Sequence, residues 1–243
     1  MNALDFKLEY QQNNDKSSIT MPVVIVAAGS SLRMQGINKQ LVTLCGVPAI
    51  AHTLMAFQQS QYISQIILVT KKEFIADMQS LATKYAVTKL TDIVAGGDSR
   101  CKSVLNGLEC VKNNKYVMIH DGARPLVTEI IIESVYNKIM NNDCVIPVVP
   151  VKDTVKEVVN KTVVKTLNRD VIMSVQTPQA VNLSKYFSAI NGADLTAFTD
   201  DASIMESCGF KVVTVDGDYE NIKITTPEDV VIAEYYLEKR GEE

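Results

Sequence analysis

Residues 27–40, a stretch of small side chains with two cations, have the composition of a phosphate-binding loop. Small residues around Gly29 let backbone N–H groups approach a phosphate chain closely, and Arg33 and Lys39 add two positive charges with no acid among them. The spacing matches neither a P-loop nor the Gly-x-Gly-x-x-Gly fingerprint of dinucleotide-binding proteins. The alternative is an ordinary loop between a strand and a helix, with cations that face water.

An aspartate follows another apolar run, in residues 120–125, which read His-Asp-Gly-Ala-Arg-Pro. A carboxylate at a strand end is typical of sites that bind Mg²⁺ together with substrate phosphates, so Asp121 is a candidate metal ligand. The alternative is a local salt bridge between Asp121 and Arg124. His120 is interpreted as a structural neighbour and not as a general base, because the sequence offers it no nucleophile to activate.

Residues 95–103, Ala-Gly-Gly-Asp-Ser-Arg-Cys-Lys-Ser, form a third candidate segment. Paired glycines permit the backbone to approach a ligand closely. The alternative is that Asp98 or Ser99 serves only as the N-cap of the helix that follows.

A fourth group comprises Arg169 in an Asn-Arg-Asp sequence, Thr-Pro-Gln at residues 177–179, and Lys223 in a short β-branched stretch. A lysine in such a stretch is commonly an outward-facing charge on an edge strand, which is the alternative to a role in binding. In open α/β sheets the ligand lies beyond the carboxyl ends of the strands, so we expect the four groups to converge on that edge.

The elements that must position these residues alternate between strand and helix. Predicted strands cover residues 23–28, 66–69, 93–94, 116–119, 145–149, 212–215 and 222–224. Predicted helices cover residues 50–57, 71–85, 99–111, 128–140, 183–190, 201–208 and a last segment opened by Thr226. This order implies βαβ units and therefore an α/β protein: a three-layer α/β/α sandwich with a mostly parallel sheet.

The alternation breaks between about residues 152 and 175. Two short strand-like segments, residues 154–159 and 162–167, flank Asn160 and Lys161, which is typical of a β-hairpin. A two-stranded hairpin has too little apolar surface to be stable by itself, so it must pack on something else. The sequence therefore predicts a protruding β-hairpin arm over about residues 152–170.

The chain has 243 residues, of which 47% are hydrophobic and 21% charged, and its formal net charge is −4. This length fits one large domain or two small ones. Because no internal repeat or linker is evident, we predict a single domain over residues 21–243, after a flexible polar extension at residues 1–20. The charge disfavours general nucleic-acid binding, and no apolar run is long enough to span a bilayer. Five scattered cysteines and the lack of a secretory signal predict a cytoplasmic protein. The charge and the short apolar runs predict that it has neither a nucleic-acid nor a membrane partner.

Taken in order, these segments resemble the 2-C-methyl-D-erythritol 4-phosphate cytidylyltransferases of the non-mevalonate isoprenoid pathway. The similarity runs from about Pro22 to about Leu237. Its motifs are Ala-Ala-Gly with Arg33, Met34, Lys39 and Gln40, then residues 96–103, 120–125, 151–154, 177–179, 199–203 and 217–225. The first motif alone indicates only the wider sugar nucleotidyltransferase group, whereas the ordered set is specific. The family commonly has proline where this chain has Asn38, and the stretch before Lys39 is one residue shorter.

The resemblance implies a Rossmann-like nucleotidyltransferase fold of the GT-A-like type and the transfer of CMP from CTP to 2-C-methyl-D-erythritol 4-phosphate. By similarity, the catalytic residues that stabilise charge on the α-phosphate are Arg33 and Lys39. The residues that position the acceptor substrate are Arg169, Lys223, Thr154 and Arg124. Those that bind CTP are Ala27, Ala28, Gly29, Gly97, Asp98, Ser103, Asp121 and Gly122, and Asp121 also lies near Mg²⁺ or another divalent cation.

The resemblance also implies a homodimer in which the arm reaches into the neighbouring subunit and brings Arg169 to its active site. Three other functions are compatible with parts of the pattern: transfer to ribitol 5-phosphate or a related pentitol phosphate, transfer from UTP or another nucleotide, and non-catalytic nucleotide binding. The joint presence of four cations disfavours the last function, because a degenerate site is expected to lose cations that the reaction holds in place. These cations are Arg33, Lys39, Arg169 and Lys223.

Overall fold

The computed structural model describes residues 20–29 and 41–242. The strands are β1 (Met21–Val26), β2 (Thr43–Leu44), β3 (Val47–Pro48), β4 (Ile63–Thr70), β5 (Leu90–Ala95), β6 (Tyr116–Asp121), β7 (Cys144–Pro150), β8 (Lys156–Val159), β9 (Thr162–Thr166), β10 (Met173–Val175), β11 (Gln179–Asn182) and β12 (Val212–Asp216). The helices are α1 (Ala49–Gln59), α2 (Ile75–Lys84), α3 (Arg100–Leu108), α4 (Glu129–Ile139), α5 (Leu183–Ile190), α6 (Asp201–Ser207) and α7 (Pro227–Glu242).

An eight-stranded sheet forms the middle layer, in the order β10-β7-β11-β6-β1-β4-β5, and β12 also pairs with β7. The pairs β1–β4, β1–β6, β4–β5 and β7–β12 are parallel. The short strands β10 and β11 run antiparallel to their neighbours. The sheet is therefore mostly parallel, as predicted.

Both faces of the central strands are covered, which is why their sequences are continuously apolar. Along β1, Val23 and Ile25 belong to a cluster with α1, α2 and α4, whereas Val24 belongs to a second cluster with α3, α5 and α6. Because successive strand side chains point to opposite faces, one short run serves both cores. The three-layer prediction is confirmed. Within the described ranges, no helix combines the length and apolar character needed to cross a bilayer.

The predicted hairpin is confirmed and forms a separate antiparallel pair, β8–β9. Its two turn residues, Asn160 and Lys161, have φ angles of 50° and 63°, as a two-residue type I′ turn requires. All residues of both strands are exposed.

The predicted strand at residues 222–224 is wrong, because this segment belongs to the loop between β12 and α7. Its polar groups bond across the fold and not along a neighbouring strand. Ile224 N–H donates to the Ala123 carbonyl at 2.8 Å, and the Asn221 carbonyl accepts from Arg124 Nη1 at 2.7 Å. Both Asn221 and Ile224 are fully buried. Burial of Ile224, together with the packing of Ile222 against the same cluster, accounts for the apolar pattern that had suggested a strand.

Candidate active site

Described residues of the first three predicted segments, together with Lys223 from the fourth, meet at the carboxyl edge of the sheet, where they line a cavity of about 380 Å³. It lies beyond β1, β5 and β6 and is bordered by Lys223 of the loop that precedes α7. The predicted site residues in its lining are Ala28, Gly29, Gly97, Asp98, Ser103, Asp121 and Lys223. The structure thus brings together side chains that lie far apart in the sequence.

The glycine segment after β5 approaches the loop after β1 closely. A Cβ added at Gly96 would lie 2.3 Å from the Ala28 Cβ, so a larger residue requires the loops to separate. The hydroxyl of Ser103 supports this turn, because Ser103 Oγ accepts from Gly97 N–H at 3.1 Å and donates to the Ser99 carbonyl at 2.9 Å. Ser99 is the N-cap of α3 and accepts from Lys102 N–H. The N-cap alternative therefore holds for Ser99, while Asp98 lines the cavity.

Two cations hold the carboxylate of Asp121. Lys223 Nζ lies 2.7 Å from Oδ2, and Arg100 Nε lies 3.4 Å from Oδ1. Two alternatives from the sequence are therefore wrong. Asp121 pairs with these cations and not with Arg124, and Lys223 faces the cavity instead of standing as an outward charge on an edge strand.

The electrostatics keep Asp121 ionised. Burial by itself would raise the pKa of the Asp121 carboxyl, but the positive charges of Arg100 and Lys223 outweigh it and hold that pKa well below its usual range. The cavity therefore contains a permanent negative charge between two positive ones at neutral pH.

His120 is a buried structural residue, as predicted from the sequence. Its Nε2–H donates to the Arg124 carbonyl at 3.1 Å, and Nδ1 accepts from the Thr177 hydroxyl at the same distance. Its ring stands edge-on to Phe57. Complete burial lowers the pKa of His120 to about 4, so the ring is neutral at pH 7.

Arg124 lines a second cavity, of about 400 Å³, which shares Arg100, Asp121 and Lys223 with the first. The remaining candidates near β1 and β6 support the cavity from behind. Ala27 N–H donates to the Val69 carbonyl at 2.7 Å, and Gly122 N–H donates to the Val26 carbonyl at 2.9 Å. The backbones of Ala27 and Gly122 are thus tied to the ends of neighbouring strands.

Two of the predicted residues that the structure describes are not brought into this cluster. Thr154 and Arg169 are exposed at the base of the arm, where Arg169 Nη1 donates to the Lys152 carbonyl at 3.2 Å. Neither of them lines the two cavities that contain Asp121. Arg33 and Lys39 lie outside the described residues.

Sequence reasoning gave no role to Arg100, Asp201 or Lys71. Lys71 follows β4 directly and lines the first cavity, so the strand-end rule could have found it. Arg100 is the first residue of α3, where the positive end of the helix dipole disfavours a cation. A cation at this unfavourable position could have indicated, from the sequence, that carboxylates from other parts of the fold bind Arg100.

The family model for 2-C-methyl-D-erythritol 4-phosphate cytidylyltransferase (IspD) matches residues 21–239. The protein of that name from Halalkalibacterium halodurans is 42% identical over 221 residues, covering 90% of this chain and 97% of that protein. The one from Bacillus cytotoxicus is 41% identical over 218 residues, covering 88% and 96%. The similarity to these relatives therefore extends over most of this chain and over nearly all of theirs.

Solved structures of proteins with this activity in their names have a similar fold. A 4-diphosphocytidyl-2C-methyl-D-erythritol synthase from Anaerococcus prevotii superposes with a TM-score of 0.80 at 30% identity, covering 91% of this chain and 97% of that one. The Thermus thermophilus cytidylyltransferase superposes with a TM-score of 0.73 at 25% identity, covering 90% and 98%. The predicted Rossmann-like nucleotidyltransferase fold is confirmed, and the chain belongs to the 2-C-methyl-D-erythritol 4-phosphate cytidylyltransferase family.

Proposed function

We propose that this protein transfers CMP from CTP to 2-C-methyl-D-erythritol 4-phosphate, giving 4-diphosphocytidyl-2-C-methyl-D-erythritol and pyrophosphate. The observation that carries the proposal is the cluster of Asp121, Lys223 and Arg100 beside the glycine segment. This cluster lies at the strand edge where α/β folds bind nucleotides, in a chain that matches the family over its whole domain.

The nucleotide occupies the first cavity in this proposal. Its base lies against the close contact between the loop after β1 and the glycine segment, where small residues expose backbone N–H and C=O groups. The proposed CTP site comprises Ala28, Gly29, Gly97, Asp98, Ser103 and Asp121 in the cavity lining, with Ala27 and Gly122 directly behind it. Lys223, on the other side of the cavity, holds the acceptor phosphate with Arg124.

The reaction is an in-line displacement at phosphorus. A phosphate oxygen of the acceptor forms a bond to the α-phosphorus of CTP, and the bond to the bridging oxygen breaks, so that pyrophosphate leaves with its electron pair. A phosphate monoester has its second pKa near 6, so the attacking group is already largely dianionic at pH 7 and needs no base. The neutral, buried His120 is consistent with this, because its ring is committed to the Thr177 and Arg124 contacts.

Catalysis then depends on positioning and charge neutralisation. We assign to Arg33 and Lys39 the stabilisation of charge on the α-phosphate in the transition state. Their placement rests on the sequence motif. Removal of one such electrostatic stabiliser typically lowers turnover by about 10²-fold or more.

A divalent cation fits the residues present. No group of three or more acidic, histidine or cysteine side chains in the described ranges forms a metal cage. Mg²⁺ commonly uses one or two carboxylates and completes its shell with substrate phosphates, and the ionised Asp121 in the cavity lining suits that arrangement. When bound with CTP, Mg²⁺ would neutralise charge on the phosphates.

In this proposal a homodimer supplies a packing partner for the arm, whose two strands are exposed throughout. The valines Val158, Val159, Val163 and Val164 are each more than half exposed, which is unfavourable for a hairpin that stays in water. In the dimer, Arg169 and Thr154 would reach the acceptor in the neighbouring subunit. Five unpaired cysteines support a cytoplasmic location.

The test is pyrophosphate release by the purified protein with Mg²⁺, measured for CTP, UTP and ATP against methylerythritol phosphate and ribitol 5-phosphate. We expect activity with CTP and methylerythritol phosphate, and its loss when the divalent cation is chelated. Activity with ribitol 5-phosphate alone would establish a pentitol-phosphate enzyme. Tight CTP binding without pyrophosphate release from any pair would indicate a non-catalytic protein.

A further inference from the structure

Arg100 links the cavity to the interior of the protein. Its Nη2 lies 2.8 Å from Asp201 Oδ2, and its Nε lies 3.4 Å from Asp121 Oδ1. The two carboxylates come from different elements, the start of α6 and the end of β6. They compensate for a cation at the amino end of α3, where the helix dipole is unfavourable.

The interior end of this link is fully buried. Asp201 is fully buried, and its second oxygen, Oδ1, accepts from the hydroxyl of Tyr186 at 2.8 Å. Tyr186 is itself fully buried on α5. Asp201 lines neither of the two cavities that contain Asp121, so its carboxylate is placed to hold Arg100 and not to contact a ligand.

The cavity end of the link carries Lys223. Asp121 lines both cavities, accepts from Arg100 on one oxygen, and accepts from Lys223 on the other. A lysine ammonium on a flexible four-carbon stem is poorly positioned unless another group fixes it. The contacts therefore form one chain, from Tyr186 through Asp201, Arg100 and Asp121 to Lys223.

We propose that Arg100 is a positioning residue for the transfer reaction: anchored on Asp201, it orients the carboxylate of Asp121 and, through it, the ammonium of Lys223 toward the acceptor phosphate. The expected kinetic effects of this inference rest on the proposed function, whereas the contacts themselves do not. Arg100 also keeps one donor, Nη1, buried and without a hydrogen-bond partner among the described residues. Its guanidinium is thus held by the two carboxylates alone.

Two substitutions test the link, one at Arg100 and one at its buried partner Asp201. Arg100→Lys keeps the charge but replaces the planar fork that spans two carboxylates, so a residue acting by charge alone would tolerate it. Asp201→Asn removes the anchor without changing a cavity residue. We expect each to lower kcat/KM for methylerythritol phosphate by about 10- to 100-fold, through a higher acceptor KM and a lower kcat. The dissociation constant of CTP, measured by calorimetry, should rise less than the acceptor KM, because of the proposed CTP contacts only Asp121 is held by Arg100.

Two further variants separate positioning from general stability. Tyr186→Phe removes only the hydroxyl that supports Asp201, and we expect the same kinetic pattern at about two- to fivefold. The matched control is Asp143→Asn, which breaks the ion pair with Lys185 just before β7, at the opposite end of the sheet. It should leave kcat/KM within about twofold of the parent.

Crystal structures of the parent and of Asp201→Asn give a readout that needs no reaction. We expect the Arg100–Asp121 separation to exceed about 4 Å in the variant, the usual limit of an ion pair. An unchanged contact would overturn the proposal, as would a folded Arg100→Lys enzyme with parental kcat and acceptor KM. A lower melting temperature with unchanged kcat and acceptor KM would show that Arg100 contributes only to stability. An inactive parent would refute the proposed function, and the crystallographic comparison would still test the link.

Discussion

Two neighbouring residues at the end of β6 show how position on a strand sets the chemistry of a side chain. Successive side chains point to opposite faces of the sheet. His120 therefore enters the core beside Phe57, while Asp121 enters the cavity beside Arg100 and Lys223. Burial without a charged partner keeps the first neutral, and two cations keep the second ionised.

His120 makes stability depend on pH in a defined window. Its pKa is lowered from 6.5 to about 4 by burial, so the unfolded chain binds a proton more readily than the folded one. The resulting stability is complete above the unfolded pKa and is lost as pH falls through the folded one. Between pH 7 and pH 5 we expect the free energy of unfolding to fall by about 2 kcal/mol from this group. Urea unfolding at a series of pH values measures it.

The comparison variant is His120→Gln, which can keep polar contacts to Thr177 and Arg124 but does not titrate. Its free energy of unfolding should change by about 2 kcal/mol less than that of the parent between pH 7 and pH 5. Asp121 does not confuse the result, because its stabilising charge is lost only below its unfolded pKa of 3.8. Equal pH dependence in parent and variant would contradict the burial of a neutral ring.

At the scale of elements, α3 carries the cavity residues and must cross the central strands closely. Gly107, on its inner face, allows this approach: a Cβ there would lie 2.5 Å from Val24 Cγ1 and 2.8 Å from Val69 Cγ2. Valine side chains have few alternative rotamers, so they cannot move aside easily. The position of Ser103 and Arg100 at the cavity therefore depends on a glycine one to two turns further along the helix.

We expect Gly107→Ala to destabilise the protein by about 1–3 kcal/mol, although alanine is the better helix former, because overpacking outweighs the propensity gain. Gly241→Ala is the matched control, since Gly241 is also helical and a Cβ there meets nothing within 4 Å. The control should be neutral or more stable by up to about 1 kcal/mol. Thermal and urea unfolding of both variants decide the question, and equal stability of the two would contradict the close approach of α3.

At the scale of the whole molecule, the arm of one chain does not reach the active-site cavities of the same chain. The cavities contain Asp121, Lys223 and Arg124, whereas Thr154 and Arg169 stand exposed at the arm. An exposed apolar hairpin and two distant acceptor-binding candidates have the same explanation if two chains associate.

Mixing two inactive variants tests this arrangement. Arg169→Ala and Lys223→Ala chains should each be nearly inactive alone, but a mixed dimer contains one site with both residues intact. After unfolding and refolding together, random pairing should restore roughly a quarter of parental activity, because half the dimers have one intact site. Verified mixed dimers with no more activity than the separate variants would refute action across the interface, and a monomeric parent would refute the dimer itself.

The sequence by itself determined the layers, most helices and strands, the hairpin and the family, because these depend on local periodicity, turn chemistry and ordered motifs. The helix at residues 183–190 and the turn at Asn160 and Lys161 are examples in which the local signal sufficed. The strand predicted at residues 222–224 failed, because its apolar pattern came from burial in a loop.

Only the tertiary structure decided how the site residues pair. Lys223 binds a carboxylate 102 positions away, and Arg100 binds one 101 positions away. No local pattern encodes such contacts, since they follow from which helices and loops pack at one edge of the sheet. The sequence supplied the charged groups of the site, whereas packing selected Arg100 as the link between the buried Asp201 and the cavity carboxylate of Asp121.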